Sequence, residues 1–273
     1  MADVNSAGMT NPTGGMVYFF IVTTIYTILQ YNNNSSYTKN ADDTTSRMYF
    51  GIYVLMVILG EFFVNLSLTA GTCGTPQYST ALITTILPWG FMFGTLVLLL
   101  SMFPGWLSPF SNTFGYGFAI MAGLNDTMNS ILEPNPNEDK TGETKDEKYM
   151  NEALAHIYSD KSMLINEVTP SNFTYFWDNM KGIFQDSAKN NSALKNKLYS
   201  LVQLKYSVAE YVWYMLAGLL VTSVSYNYIV NTACSMDASE MKKRHKEYQQ
   251  EMEAQHQENI DNDANQRVYS THE

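Results

Sequence analysis

The chain has 273 residues, a formal net charge of −10 and two cysteines. The acidic balance disfavours a nucleic-acid backbone as a partner, and two cysteines are too few for a disulfide-dense scaffold or a four-thiolate zinc site. Charged residues are almost absent before Asp126 and dense after it, which predicts a membrane half followed by a polar half.

Four apolar runs predict membrane-spanning helices, because roughly 17–25 apolar residues are needed to cross a bilayer. They lie at about 15–31, 48–70, 81–103 and 206–231. The first is the shortest, and its alternative is an interfacial or buried helix. The predicted fold is mainly α: a multi-span transmembrane helical bundle of about four spans, with a small helical extramembrane domain and a polar helical C-terminal tail.

The second run contains two polar residues, Glu61 and Asn65, which lie four residues apart and therefore on one helix face. A carboxylate inside a membrane helix is costly, so it is a candidate functional residue that faces protein or a water-filled cavity. The alternative is a structural hydrogen bond to a neighbouring span, for instance to Thr84 or Thr85. We favour the structural alternative, since the spans offer Glu61 no Lys, Arg or His partner for an ion path.

The third run carries Pro88, Gly90 and Gly94. Pro88 cannot donate a hydrogen bond to the Thr84 carbonyl, which predicts a kink. The two glycines form a G-x-x-x-G pair that permits close helix packing, and we expect the partner to be another span of the same chain.

Prolines, glycines and aromatic residues crowd the segment 104–124, which follows Phe103 and begins with the sequence PGWLSPF. We interpret it as interfacial or re-entrant, because amphipathic rings suit the headgroup boundary. A further full span is the rival interpretation. Together with the first three spans it forms the predicted membrane region 1–124.

Residues 125–206 are polar enough for a soluble helical domain, with a charged linker at 133–148. Within the domain, one helical stripe is aromatic and predicts either a core or a face for a protein partner. Its members are Phe173, Phe176, Trp177, Met180 and Phe184.

The last span, 206–231, continues a helix that starts near Ser192 without an intervening Gly or Pro, so one long helix should rise from the domain into the membrane. The tail, 232–273, is polar, and its lysines just beyond the span favour an inside location. Cys73 and Cys234 fall at the same membrane face, where a cytosolic setting would leave two free thiols.

No sequence pattern indicates catalysis, because the nucleophile elbow, the zinc-protease motif and the Walker loop are all missing. The four histidines all lie in the polar half, away from the spans. We therefore expect no enzymatic activity, no cofactor, no metal, no nucleic acid and no small-molecule substrate.

Three motifs, CGTPQ, LPWGFMFG and FPGWLSPFSNTFGY, together with the Lys/Glu/Gln-rich tail, resemble multi-span membrane proteins of the nucleocytoplasmic large DNA viruses, in particular chlorovirus-type minor capsid proteins. The resemblance covers about the N-terminal half. It implies a virion structural protein in the internal membrane, made in host endoplasmic-reticulum-derived membrane. Its partners would be the bilayer and the major and other minor capsid proteins. The alternative is a small channel or transporter that uses Glu61 and Asn65.

Overall fold

The protein is helical throughout the part of the chain that the computed structural model describes, which is residues 12–37, 43–133, 145–160, 162–234 and 238–266. In chain order the elements are α1 (Thr13–Asn34), α2 (Asp43–Cys73), α3 (Tyr78–Thr85), a π-helical segment (Ile86–Phe93), α4 (Gly94–Met102), a 3-10 turn (Pro104–Leu107), α5 (Ser108–Phe110), a second π-helical segment (Ser111–Gly115), α6 (Tyr116–Met121), α7 (Leu124–Ile131), α8 (Lys145–Ser159), α9 (Ser162–Asn166), α10 (Phe173–Asn179), a 3-10 turn (Met180–Ile183), α11 (Asp186–Lys189), α12 (Ser192–Val230) and α13 (Ala238–Gln266). The predicted mainly α fold is confirmed.

Four helices are long and apolar enough to cross a membrane: α1, α2, the continuous helix Tyr78–Met102 (the third span) and α12. The predicted first and second spans lie entirely within α1 and α2. The predicted third and fourth spans each extend one residue past the end of their helix, to residues 103 and 231. α12 has 39 residues, so at about 1.5 Å per residue it is roughly 58 Å long, well beyond the ~30 Å of a hydrocarbon core. It therefore extends far outside the bilayer.

Large apolar side chains cover the outside of the bundle, including Phe63, Phe91 and Leu98, which are all more than half exposed. In the apolar window of each span, between 22% and 39% of the residues are buried, and the highest share belongs to α12. Such a surface suits lipid and would be unfavourable in water. The bundle thus packs α12 against the other three spans, and the exposed apolar faces of all four helices suit contact with lipid.

The bundle core is aromatic. Phe19 of α1 packs on Trp89 with ring centroids 5.0 Å apart, and Tyr26 stacks on Tyr53 of α2 at 4.3 Å. Phe19 also fits against Gly218 of α12, where any Cβ would overlap its ring. This glycine brings α1 and α12 together more closely than a larger residue would allow.

The segment 104–124 runs along α12, and its first part packs into the bundle core through Leu107 and Phe110. Trp106 and Phe110 both contact Trp213, with ring centroids 5.9 and 6.1 Å apart. Further along, Gly115 lies against the Lys205 carbonyl, where a Cβ would overlap the oxygen. The contacts move from Trp106 to Gly115 on this segment while they move back from Trp213 to Lys205 on α12, so the two segments run antiparallel. The interpretation of this segment as interfacial or re-entrant stays a prediction.

The extramembrane domain encloses a second core. Buried residues of α6, α7, α9, α10 and α11 pack on Leu198, Leu201 and Val202 in the N-terminal part of α12. A short antiparallel bridge between Leu132 and Phe184 closes the domain. Most of the predicted linker, 134–144, lies outside the described residues, and its last part, from Lys145, is already helical. The domain also takes in Ala119, so it begins before the predicted boundary at residue 125.

The chain divides into two compact units, Met1–Asn231 and Thr232–Glu273. In the second unit, α13 is a helix of 29 residues, and those of its side chains that the structure describes are exposed. Four of its exposed side chains are large and apolar: Met241, Tyr248, Met252 and Ile260. A polar helix with one sparse apolar stripe gains little by folding alone and is suited to a partner.

Neither cysteine is free: Cys73 and Cys234 are both disulfide-bonded, which corrects the prediction of two thiols. Disulfides persist in oxidising compartments and are rare where glutathione keeps thiols reduced. The disulfide therefore favours an oxidising environment for the membrane face that carries the turn between α2 and α3. The lysines after α12 favour the opposite orientation, and the sequence rule alone does not decide between them.

We expect both cysteines to resist a maleimide-linked polymer in denatured, unreduced protein and to react after reduction. The gel mobility should then shift by two additions at once. A double shift without reductant would contradict the disulfide, and the double serine variant C73S/C234S, which must show no shift, controls for labelling elsewhere.

Candidate functional site: an intramembrane polar clamp and the bundle–domain junction

The Thr84 clamp is a set of polar groups inside the bundle, formed by Thr84, Thr85, Asn65 and Ser225. Asn65 Nδ2 donates to Thr85 Oγ1 at 2.9 Å and lies 3.4 Å from the Thr84 carbonyl oxygen. Ser225 Oγ lies 2.9 Å from the same carbonyl and 3.2 Å from Asn65 Oδ1. The clamp therefore joins α2, the third span and α12 through one carbonyl.

Pro88 explains why the Thr84 carbonyl is open to these side chains. Proline has no N–H, so the bond that would normally close on this carbonyl is absent. The helix accommodates the missing hydrogen bond by forming a π-helical segment over Ile86–Phe93. In hydrocarbon an unpaired carbonyl is costly, and neighbouring side chains must satisfy it. Asn65 and Ser225 supply the missing donors.

Glu61 is almost fully buried at 1% exposure, one helical turn from Asn65. Its carboxyl group lies beside Gly15 of α1 and close to Thr222 of α12. Among the described residues, Glu61 Oε1 and Thr222 Oγ1 have no hydrogen-bond partner. The expected contact with Thr84 and Thr85 is therefore made by Asn65, while Glu61 lies on the α1 side of the bundle.

Gly90 and Gly94 are exposed, and in the described part of the chain no atom outside their own helix lies within 4 Å of a Cβ placed on either. The expectation that they pack against another span of this chain is wrong. They line a groove of about 570 Å³ at the side of the bundle instead, together with Phe50 and Tyr214. A G-x-x-x-G spacing shows only that a flat strip exists, not what covers it.

The aromatic stripe of the domain faces inward, so it is not available as a partner-binding face. Phe173, Trp177 and Phe184 are at most 2% exposed and Phe176 is 8% exposed, all within the domain core. Met180 is partly buried against the same core. The domain is small, and its core uses most of the large side chains that its short helices supply.

Lys205 is a buried residue of the bundle–domain junction that the sequence analysis overlooked. It is 1% exposed, and its Nζ donates to the Ile165 carbonyl at 2.7 Å. Nζ also lies 3.4 Å from Asn112 Oδ1. A buried ammonium group is costly unless its protons are used. Lys205 thus ties α9 and the second π-helical segment to α12. The feature of the sequence that could have indicated this role is a lone lysine between two apolar runs.

Tyr37, just beyond α1, ties the first span to the domain. Its backbone N–H donates to Asn196 Oδ1 at 2.8 Å, and its ring packs on Phe173 with centroids 5.7 Å apart. The hydrogen bond with Thr174, together with Lys195 4.3 Å above the ring, lowers the pKa of the Tyr37 hydroxyl. The domain is therefore held to the bundle at α1 as well as through α12.

Comparisons with protein-family models, curated proteins and solved structures find no match to this chain. No residue role is therefore carried over from a relative. Within the described ranges, no group of three or more His, Cys, Asp and Glu side chains is placed to hold a metal ion.

Replacing Ser225 with alanine should lower the free energy of unfolding by about 1 kcal/mol, because the Thr84 carbonyl then keeps only the long contact with Asn65. The matched control is Ser223→Ala, since Ser223 is exposed and bonds only within its own helix. Denaturation of both variants in detergent measures the difference. Equal losses would show that the clamp contributes no stability beyond that of a surface serine.

Proposed function

We propose that this protein is a virion structural protein: a minor capsid protein that sits in the viral internal membrane and anchors that membrane to the icosahedral capsid lattice. The observation that carries the proposal is the continuity of α12. One helix contributes Val221 and Tyr214 to the bundle core and Leu198 and Val202 to the domain core. A helix shared by two cores transmits a pull on the domain to the membrane with no flexible linker in between.

Two further ties support an anchoring role. Lys205 bonds the domain to α12 at the membrane boundary, and Tyr37 bonds the domain to the end of α1. The segment along α12 that contains Gly115 adds a third packed connection. A protein whose role is mechanical needs such redundancy, whereas a transporter needs elements that move against each other.

The partners that we propose are the lipid bilayer on the outer faces of the spans and the major and other minor capsid proteins. Because the aromatic stripe of the domain is buried, the best candidate for protein contact is α13. Its stripe of Met241, Tyr248 and Met252 has the spacing with which an amphipathic helix lies in an apolar groove. The proposed location is the virion internal membrane, reached through host endoplasmic-reticulum-derived membrane.

The alternative, a small channel or transporter, would use Glu61 and Asn65. Asn65 Nδ2 already donates to Thr85 Oγ1 within the Thr84 clamp, so Asn65 would have to leave that clamp to bind a moving ion. This geometry favours the structural role. The alternative is nevertheless tested directly by the Glu61 variant below.

Deleting residues 235–273 should abolish most co-purification of capsid proteins with the membrane protein while leaving its membrane insertion intact. The same loss is expected from the point variant Y248A/M252A, because truncating the apolar stripe removes the contact without removing the helix. The variant Q249A/E253A on a neighbouring face serves as the matched control and should retain its partners. Undiminished co-purification by the deletion variant would exclude α13 as the attachment element.

Glu61→Gln should leave assembly intact, since glutamine keeps the shape of the side chain and removes only its ability to ionise. Virion yield and membrane incorporation of the variant measure this. An ion flux through liposomes containing the purified wild-type protein, lost in Glu61→Gln, would instead support the channel.

A further inference from the structure

The groove at the side of the bundle, which we call the lateral groove, has a volume of about 570 Å³, within the usual size range of small-molecule sites. Its walls are α2, the third span and α12. Gly90 is the central residue of the third span, Tyr78–Met102, and Pro104 lies just beyond the end of that span. At 1.5 Å per residue, the helix between Gly90 and Pro104 covers roughly 20 Å. The lateral groove therefore reaches from the middle of the bilayer to its surface on the side of the extramembrane domain.

The accessible wall of the lateral groove is apolar and includes a strip without side chains. Gly90 and Gly94 form this strip, and Leu98 is exposed beyond them on the same helix. On the facing side, Phe50 and Val54 of α2 are partly exposed. An acyl chain can lie along such a strip, because it needs only close van der Waals contact and no polar partner.

Glu210 of α12 is the charged residue among the described residues that line the lateral groove. It is partly exposed, whereas Glu61 is sealed inside the bundle at 1% exposure. Within the described ranges, Glu210 makes no hydrogen bond and no ion pair. It lies one helical turn beyond Tyr206, close to the end of the groove marked by Pro104. A carboxylate at the edge of the hydrocarbon is costly unless a partner reaches it.

The spans offer no cation to Glu210. The sequence has no Lys, Arg or His in the ranges 13–34, 48–102 and 206–230. Lys205 is the nearest lysine along α12, and its Nζ donates to the Ile165 carbonyl at 2.7 Å. A second copy of this chain would bring the same spans to the groove and therefore no cation either. A spanning helix of another protein would need a lysine or arginine within the hydrocarbon, where such residues are rare.

Lipid headgroups, in contrast, supply ammonium groups at the membrane surface, one turn from Glu210. A primary ammonium has three N–H donors, and its hydrogen bonds to a carboxylate are charge-assisted and therefore strong. The ring of Tyr206, partly exposed in the same wall, adds a π-face that attracts a cation. A quaternary ammonium keeps the positive charge but has no N–H, so it cannot donate to Glu210.

We infer that the lateral groove is a binding site for phosphatidylethanolamine. The ammonium group donates to the carboxylate of Glu210, one acyl chain lies along the strip of Gly90 and Gly94, and the phosphate stays in the headgroup layer. The lipid enters sideways from the bilayer, since the groove opens at the side of the bundle. This inference concerns a lipid of the membrane bundle, and it depends neither on the proposed function nor on the partner of α13.

The first test uses the full-length wild-type protein. It is reconstituted in nanodiscs with equal fractions of phosphatidylethanolamine, its N-monomethyl and N,N-dimethyl derivatives and phosphatidylcholine, all with identical acyl chains. Native mass spectrometry after release from the disc reports which lipids stay bound. We expect phosphatidylethanolamine to be retained about ten-fold over phosphatidylcholine, as the loss of charge-assisted hydrogen bonds predicts. The two intermediate lipids should fall between them in the order of their N–H donors.

Glu210→Gln tests the headgroup contact. Glutamine keeps the shape of the side chain and removes its charge, so the ten-fold preference for phosphatidylethanolamine should fall to nearly one, with little change for phosphatidylcholine. The matched control is Glu61→Gln, which removes the charge of a carboxylate that is buried away from the groove. That variant should keep the full preference.

Gly94→Leu tests the position of the acyl chain. A Cβ at this position meets open space among the described residues, so the variant should fold, and its side chain then fills the groove. Retention of all four lipids should fall about five-fold, without a change in their order. Thr95→Leu is the matched control, because Thr95 is exposed on the same helix but does not line the groove. Melting temperatures in detergent confirm that each variant is folded.

Four results would overturn the inference. Equal retention of phosphatidylethanolamine and phosphatidylcholine by the wild type would show that the N–H donors are not recognised. A preference that persists in Glu210→Gln would place the headgroup elsewhere, and unchanged retention in Gly94→Leu would place the acyl chain elsewhere. A lipid-free dimer that Gly94→Leu dissociates would assign the groove to a second copy of the chain.

Discussion

Polar groups within a bilayer must find their partners inside the protein, and this constraint determines the arrangement of the spans. Pro88 frees the Thr84 carbonyl, and Asn65 and Ser225 satisfy it from two other helices. Because these donors are short side chains, α2, the third span and α12 can have only one register relative to each other. The same register places Trp213 beside Trp106 and Lys205 beside Gly115.

α12 transfers that register to the extramembrane domain. A helix that is packed in the bundle at one end cannot rotate at the other, so the position of Leu198 and Val202 in the domain core follows from the packing of Tyr214 and Val221. Lys205 and Tyr37 hold the domain at two separate points.

The wrong predictions share a physical cause, which is that a one-dimensional pattern does not identify what covers a surface. An aromatic stripe at helical spacing is the same whether it meets its own domain or a partner, and Phe173 and Trp177 meet their own domain. A glycine pair is flat whether or not a helix lies on it, and Gly94 has no such neighbour among the residues that the structure describes. Gly218, which has no second glycine at this spacing, makes the close contact instead.

The sequence by itself determined the number of spans, their approximate limits, the helical class and the long helix that joins the last span to the domain, because apolar length and the absence of helix breakers act locally along the chain. It also predicted a hydrogen bond from the second span to Thr84 or Thr85, although it assigned that bond to Glu61 and Asn65 makes it. Only the tertiary structure decided that the segment from Pro104 runs along α12, that the cysteines are oxidised and that Lys205 bonds to the Ile165 carbonyl. Those contacts join residues far apart in the chain, and they exist only when the helices are packed together.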